Sequence, residues 1–179
     1  AAISTQKSAI RAALDNNPID AKITLSGYEG SELLVARLLI ESGADVAYVG
    51  SACPKTEFSA VDADWLEAQG VSVKFRASLE DDLIAMGAFK PNLVIGTTPI
   101  VQKAKERSIP SLYFTNLISA RPLMGAAGAG SVAQVINSAL ANQPRMIAME
   151  EFFDGVGDGP TSGIWTPEII AKTGVGGTC

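Results

Sequence analysis

Five short runs rich in β-branched and apolar residues alternate with stretches of helical length and pattern. The runs are Lys22-Ile23-Thr24-Leu25-Ser26, Asp45-Val46-Ala47-Tyr48-Val49-Gly50, residues 71–76, Leu93-Val94-Ile95-Gly96 and Ser111-Leu112-Tyr113-Phe114. A strand followed by a helix does not turn straight back beside its predecessor; it crosses over and lies parallel to it. The alternation therefore predicts an α/β chain with an open, doubly wound, mostly parallel Rossmann-like sheet of about five strands in three αβα layers.

Local signals divide the helical stretches. An Ala-rich polar helix over residues 4–16 ends at Asn16-Asn17-Pro18. Ser31 is placed to cap a helix over 31–42 that stops at Gly43, and a helix over 62–69 stops at Gly70. Ser78-Leu79-Glu80-Asp81 has the hydroxyl-to-acid spacing of a capping box. Thr97-Thr98-Pro99 offers a hydroxyl cap and then a proline for the first turn. The run Leu93-Val94-Ile95-Gly96 lacks polar alternation and is expected at the centre of the sheet. A long loop over 115–130 precedes a last helix over 131–141. After Asn142-Gln143-Pro144 the pattern degrades, and Asp154 to Pro160 reads as an acidic, turn-rich linker. The expected division is a domain over 1–145 and a C-terminal arm over 146–179, packed on a partner or mobile.

Composition narrows the chemistry. The chain has no histidine, which removes Ser-His-Asp and Cys-His catalysis and histidine-bearing zinc sites. Its two cysteines, Cys53 and Cys179, form neither a CxxC pair nor a disulfide framework. A net charge of −5 argues against nucleic acid as a partner. Apolar runs such as residues 33–40 are interrupted by Arg37 and fall short of the ~20 residues of a membrane span. A soluble cytoplasmic protein is expected, and Ala1 in place of Met suggests processing or a piece of a longer chain.

Ligands of doubly wound sheets bind outside the carboxyl ends of the strands. Those ends are Gly27-Tyr28-Glu29-Gly30, residues 51–56, Ala77-Ser78, Thr97-Thr98-Pro99 and residues 115–122. The first is a G-x-x-G turn at a helix start, suited either to tight-turn geometry or, less well because of Glu29, to an anion. Cys53 has no histidine or second thiol beside it and reads as a partly buried loop thiol. Glu80-Asp81-Asp82 suits a helix dipole, and Lys103, Lys105, Glu106 and Arg107 a solvated face. The small-residue cluster 125–130 could cradle an anion, but better suits close packing of loop and helix against a neighbour or a flat ligand. Arg121-Pro122-Leu123-Met124 combines a cation, a rigid turn and apolar bulk; it suits an apolar ligand carrying a carboxylate, or a structural loop or interface.

The strings SGYEGSELLVARLLIESGADV (26–46), YVGSACPKTEFS (48–59), FRASLEDD (75–82) and IGTTPIVQKAKERSIPSLYFTNLISARPLMGAAGAGS (95–131) closely resemble the Y-subunit family of chlorophyllide a oxidoreductase, nitrogenase-like enzymes of bacteriochlorophyll synthesis. The resemblance implies an ATP-dependent reductase. Its iron-protein-like subunit X binds the ATP and delivers electrons to a heterotetramer of Y and Z subunits. That assembly holds a 4Fe-4S cluster and reduces the ring B double bond of chlorophyllide a. It further implies that this chain corresponds to the C-terminal of three Rossmann-like domains, inactive alone, with the cluster ligands outside it. Cys53 inherits no ligand role. Nitrogenase offers its metal cofactor a histidine after the last strand; here Tyr113-Phe114-Thr115-Asn116 has none, as suits a tetrapyrrole site.

With this resemblance, the strand-end rule leads Tyr28, Thr97, Thr98, Asn116, Leu117, Arg121, Pro122 and Met124 to be expected to line the pigment pocket or contact neighbouring domains, with Arg121 on a propionate or in an ion pair. No catalytic residue and no metal ligand is assigned. Two alternatives stay open: a related reductase of another tetrapyrrole, and a non-catalytic binding or assembly domain.

Overall fold

The computed structural model describes residues 2–119 and 125–153. The elements run α1 (Ala2–Asp15), β1 (Lys22–Gly27), α2 (Glu32–Glu41), β2 (Asp45–Ser51), α3 (Glu57–Ala68), β3 (Ser72–Phe75), α4 (Leu79–Phe89), β4 (Leu93–Gly96), α5 (Thr98–Lys105), β5 (Ser111–Tyr113), α6 (Phe114–Ser119), α7 (Gly125–Leu140) and α8 (Gln143–Phe153). The strands form one five-stranded sheet in the order β3-β2-β1-β4-β5. Every pairing is parallel. The doubly wound α/β architecture is therefore as expected from the alternation of elements.

One expectation about the sheet is corrected. β1, not β4, is the central strand. Both are covered on two faces, β4 along its whole length and β1 at every residue after Lys22, so burial alone does not rank them. Ile23 and Leu25 of β1 pair in register with Leu93 and Ile95 of β4. These side chains share a core with Leu33, Ala36 and Leu39 of α2, Leu66 of α3, Phe114 and Leu117 of α6, and Val132 and Ile136 of α7. The opposite face is smaller: Val94 packs with Met86 of α4 and Ile100 and Ala104 of α5.

Helix boundaries differ from the sequence expectation where hydrogen bonding and close packing outweigh the apolar pattern. α3 begins at Glu57 because Thr56 and Ser59 form a reciprocal capping box, which the search for an acid at the third position does not see. The stretch expected as a loop over 115–130 contains α6 and the first residues of α7. Gly125 opens α7 with φ +70°, and the small residues after it allow close approach to α1: a Cβ at Gly130 would lie 3.6 Å from that of Ala13. The expected loss of pattern after Gln143 is also corrected, since α8 occupies that stretch. α8 falls in a second compact unit that begins at Pro144. The Asp154 to Pro160 linker and the rest of the expected arm lie outside the described residues.

The capping box expected at Ser78 is present: its hydroxyl accepts the Asp81 amide at 3.2 Å and its amide donates to Asp81 Oδ2 at 2.9 Å. Ser78→Ala is expected to cost about 1 kcal/mol. A shift of the urea midpoint with unchanged slope checks this, and an unchanged midpoint counts against it.

Candidate functional site

In the order β3-β2-β1-β4-β5 the direction in which strands are added to the sheet reverses at β1 and β4, so the loops leaving these two parallel strands diverge and open a crevice. A cleft of about 370 Å³ lies there, lined by Tyr28, Gly96, Thr97, Thr98, Tyr113, Thr115 and Asn116. Tyr28 follows β1; Gly96 and the two threonines lead from β4 into α5; Tyr113, Thr115 and Asn116 lead from β5 into α6. Gly96 is required by crowding, because a Cβ there would meet Ile100 Cγ2 at 2.8 Å and Ser26 Oγ at 2.9 Å. Thr97 occupies the α5 cap with extended backbone, but its side chain makes no capping hydrogen bond, which corrects the expected hydroxyl cap. The hydroxyls of Tyr28 and Thr115 lie 3.2 Å apart and hydrogen-bond across the cleft mouth. The described lining thus consists of aromatic rings, hydroxyls and one amide, and carries no formal charge.

Of the residues expected to line a pocket, Tyr28, Thr97, Thr98 and Asn116 meet in this cleft. Leu117 does not line it; it is 4% exposed and packs in the main core. Arg121, Pro122 and Met124 lie outside the described residues. Gly96 and Tyr113 are not among the expected lining residues, and Thr115, although inside the strand-end segment 115–122, is not singled out there. The strand-end rule could have found the first two, since they close β4 and β5, and it already reaches Thr115, two residues past Tyr113.

The G-x-x-G turn holds an anion, and the anion is the chain's own. Glu32 Oε1 accepts the amides of Glu29 (2.7 Å) and Gly30 (3.2 Å), while Oε2 accepts the Ser51 hydroxyl (2.9 Å). Ser31, expected as a side-chain cap, makes no such bond; its φ of −95° and ψ of 0° are not those of a typical capping residue. With a carboxylate already on these amides, the corner that cradles phosphate in dinucleotide-binding folds is filled.

A second carboxylate cluster lies under the start of α4. Tyr48 donates to Asp82 Oδ1 at 2.8 Å, above Gly50, where any Cβ would collide with both side chains. Burial raises the Asp82 carboxyl above its ordinary value of 3.8, against the opposing hydrogen bond from Tyr48. Tyr48 is itself raised, first by burial and then by Asp82. The exposed neighbour Asp81 is lowered to about 2, chiefly by Lys74 at 2.7 Å and then by Ser78.

The two aspartates have opposite effects on stability. The folded chain holds the Asp82 proton more tightly than the unfolded chain, so that contribution is full below pH 3.8 and lost as pH rises through the raised folded value. The Asp81 contribution is present above 3.8 and lost as pH falls toward about 2. Asp82→Asn keeps an acceptor for Tyr48. It is expected to abolish the decline above 3.8 while sparing the acid-side loss. Melting temperatures across the acid range check this, and a variant curve parallel to the parent would sink it.

Cys53 is a half-buried free thiol whose Sγ lies 3.6 Å from the Tyr28 carbonyl oxygen. Among the described residues no three histidine, cysteine or acidic side chains gather as a metal would require. An iron–sulfur cluster does not fit the described residues. No described helix is long and apolar enough to cross a membrane.

The chain is 69% identical over 157 residues to the chlorophyllide reductase 52.5 kDa chain of Cereibacter sphaeroides, covering 88% of this chain and 31% of that one. To the corresponding chain of Rhodobacter capsulatus it is 67% identical over 163 residues, covering 90% and 33%. The chain therefore spans about a third of the length of these curated relatives. A solved structure titled "Nitrogenase Cp1 at pH 6.5" superposes with a TM-score of 0.58 at 20% identity, over 79% of this chain and 32% of the other; this supports the fold. The sequence pattern of the nitrogenase component 1 type oxidoreductases matches residues 2–141, which include every described residue of the cleft. The chain belongs to the nitrogenase component 1 type oxidoreductase family.

Proposed function

We propose that this chain is part of the catalytic component of an ATP-dependent, nitrogenase-like chlorophyllide a reductase, and that its cleft forms one wall of the pigment pocket. The observation that carries the reading is the 69% identity over 157 residues to a chlorophyllide reductase chain. The reaction adds two electrons and two protons across the ring B double bond. An iron-protein-like partner (X) delivers the electrons at the expense of ATP, and a Z subunit completes the assembly.

In this reading the chain binds and orients the pigment. Its rings offer apolar faces to a macrocycle, and its hydroxyls and amide offer hydrogen bonds to the substituents. A volume of about 370 Å³ lies near the low end of the ~300–1,000 Å³ of small-ligand sites, so a tetrapyrrole would project from the cleft and be enclosed by other parts of the assembly.

The test is to assemble the full-length subunit containing this chain with X and Z and supply ATP, a reductant and either chlorophyllide a or protochlorophyllide. ATP-dependent loss of the ring B double bond, selective for chlorophyllide a, is expected. Turnover of protochlorophyllide alone would move the function to another tetrapyrrole. Pigment binding without turnover would favour a non-catalytic domain.

A further inference from the structure

Glu32 stands in the first turn of α2 yet is 0% exposed, and no described lysine or arginine pairs with it. A carboxylate so placed depends on its hydrogen-bond donors. These come from two strand-end segments: the Glu29 and Gly30 amides after β1, and the Ser51 hydroxyl at the end of β2. The Ser51 oxygen also accepts the Cys53 amide at 3.3 Å, and the Cys53 thiol reaches back to the Tyr28 carbonyl at 3.6 Å. The contacts close a ring from Glu32 through Ser51 and Cys53 to Tyr28 and its turn. Tyr28 is 58% exposed, so core packing does not fix it; the clamp holds its backbone carbonyl and the turn that follows, and the Thr115 hydroxyl meets its phenol.

The geometry points to Glu32 as a positioning residue, a buried internal anion that holds the Tyr28 wall of the cleft in place for the pigment. The inference rests on the proposed role of the cleft in binding chlorophyllide a. It assigns function to a side chain that touches no ligand.

The test uses the full-length subunit assembled with its partners, with the chlorophyllide a dissociation constant read by absorption and the turnover number measured separately. Glu32→Ala is expected to weaken pigment binding roughly tenfold, within the range of coupling between contacting residues. Acetate is expected to restore binding by refilling the vacated amides, whereas chloride at equal ionic strength is not. In a Tyr28→Ala background the further loss from Glu32→Ala is expected to vanish.

A Glu32→Ala variant that melts lower but binds pigment normally overturns the inference. So does a loss that adds in full to that of Tyr28→Ala, or one that acetate does not reverse. Should Glu32→Ala not fold, Ser51→Ala removes one arm of the clamp. It must then weaken binding in the parent and leave it unchanged beside Tyr28→Ala, and any other result overturns the inference. Unchanged binding in Tyr28→Ala alone would instead overturn the pocket reading.

Discussion

Gly27→Ala is expected to lower the stability of the domain by about 3 kcal/mol, which for a chain of this size corresponds to roughly 6–12 °C in melting temperature. The new Cβ would lie 2.5 Å from Glu32 Oε1, 2.9 Å from Glu32 Cγ and 2.9 Å from Phe114 Cδ1. Neither neighbour can yield cheaply. Glu32 is fully buried and holds three hydrogen bonds, while Phe114 is 2% exposed in the main core. Relief requires shifting the end of the central strand or expelling a buried carboxylate from its donors, and both are costly. Gly27→Ala combined with Glu32→Ala is expected to cost less than the sum of the two, because the second change removes two of the three close contacts. Thermal unfolding checks both statements; a melting point within a degree or two of the parent would refute the crowding argument.

Thr98→Trp tests the cleft directly. Thr98 lines it from the first residue of α5 and is exposed, so an indole there occupies the cleft without entering either core. In the assembled enzyme, turnover of chlorophyllide a is expected to fall roughly a hundredfold, the penalty of displacing a substrate by about an ångström or more. The melting temperature is expected to move little, as for other surface substitutions. Thr98→Ser, which keeps the hydroxyl, should stay near parent activity. Full turnover in Thr98→Trp would place the pigment elsewhere.

The sheet was legible because each strand-to-helix unit carries its own punctuation: Gly43 and Gly70 at helix ends, and Ser78 with Asp81 at a helix start. What escaped depends on contacts between distant residues. α7 begins in a glycine- and alanine-rich stretch that looks like a loop until α1 is placed beside it, when the absence of side chains becomes the condition for packing. Leu117 was expected at a ligand, but α6 turns it inward to the core. Glu32 reads as an ordinary acid in the first turn of a helix. Its burial follows from Ser51 and the Glu29 and Gly30 amides, which no local pattern connects to it. The four cleft residues that were anticipated share one legible property, their place just beyond a strand end.

The position of β1 between β2 and β4 also bears on how the chain reaches this state. Its pairing with β2 is nearly local, but β4 joins it only after a long excursion: the Lys22 amide meets the Asn92 side chain across 70 positions. Closing such a loop is entropically unfavourable until Leu93 and Ile95 settle on Ile23 and Leu25. The β1–β4 seam that forms the cleft is therefore expected to zip late. A chain emerging from the ribosome holds an unfinished sheet, with one side of β1 open to solvent, until β4 and β5 have been made.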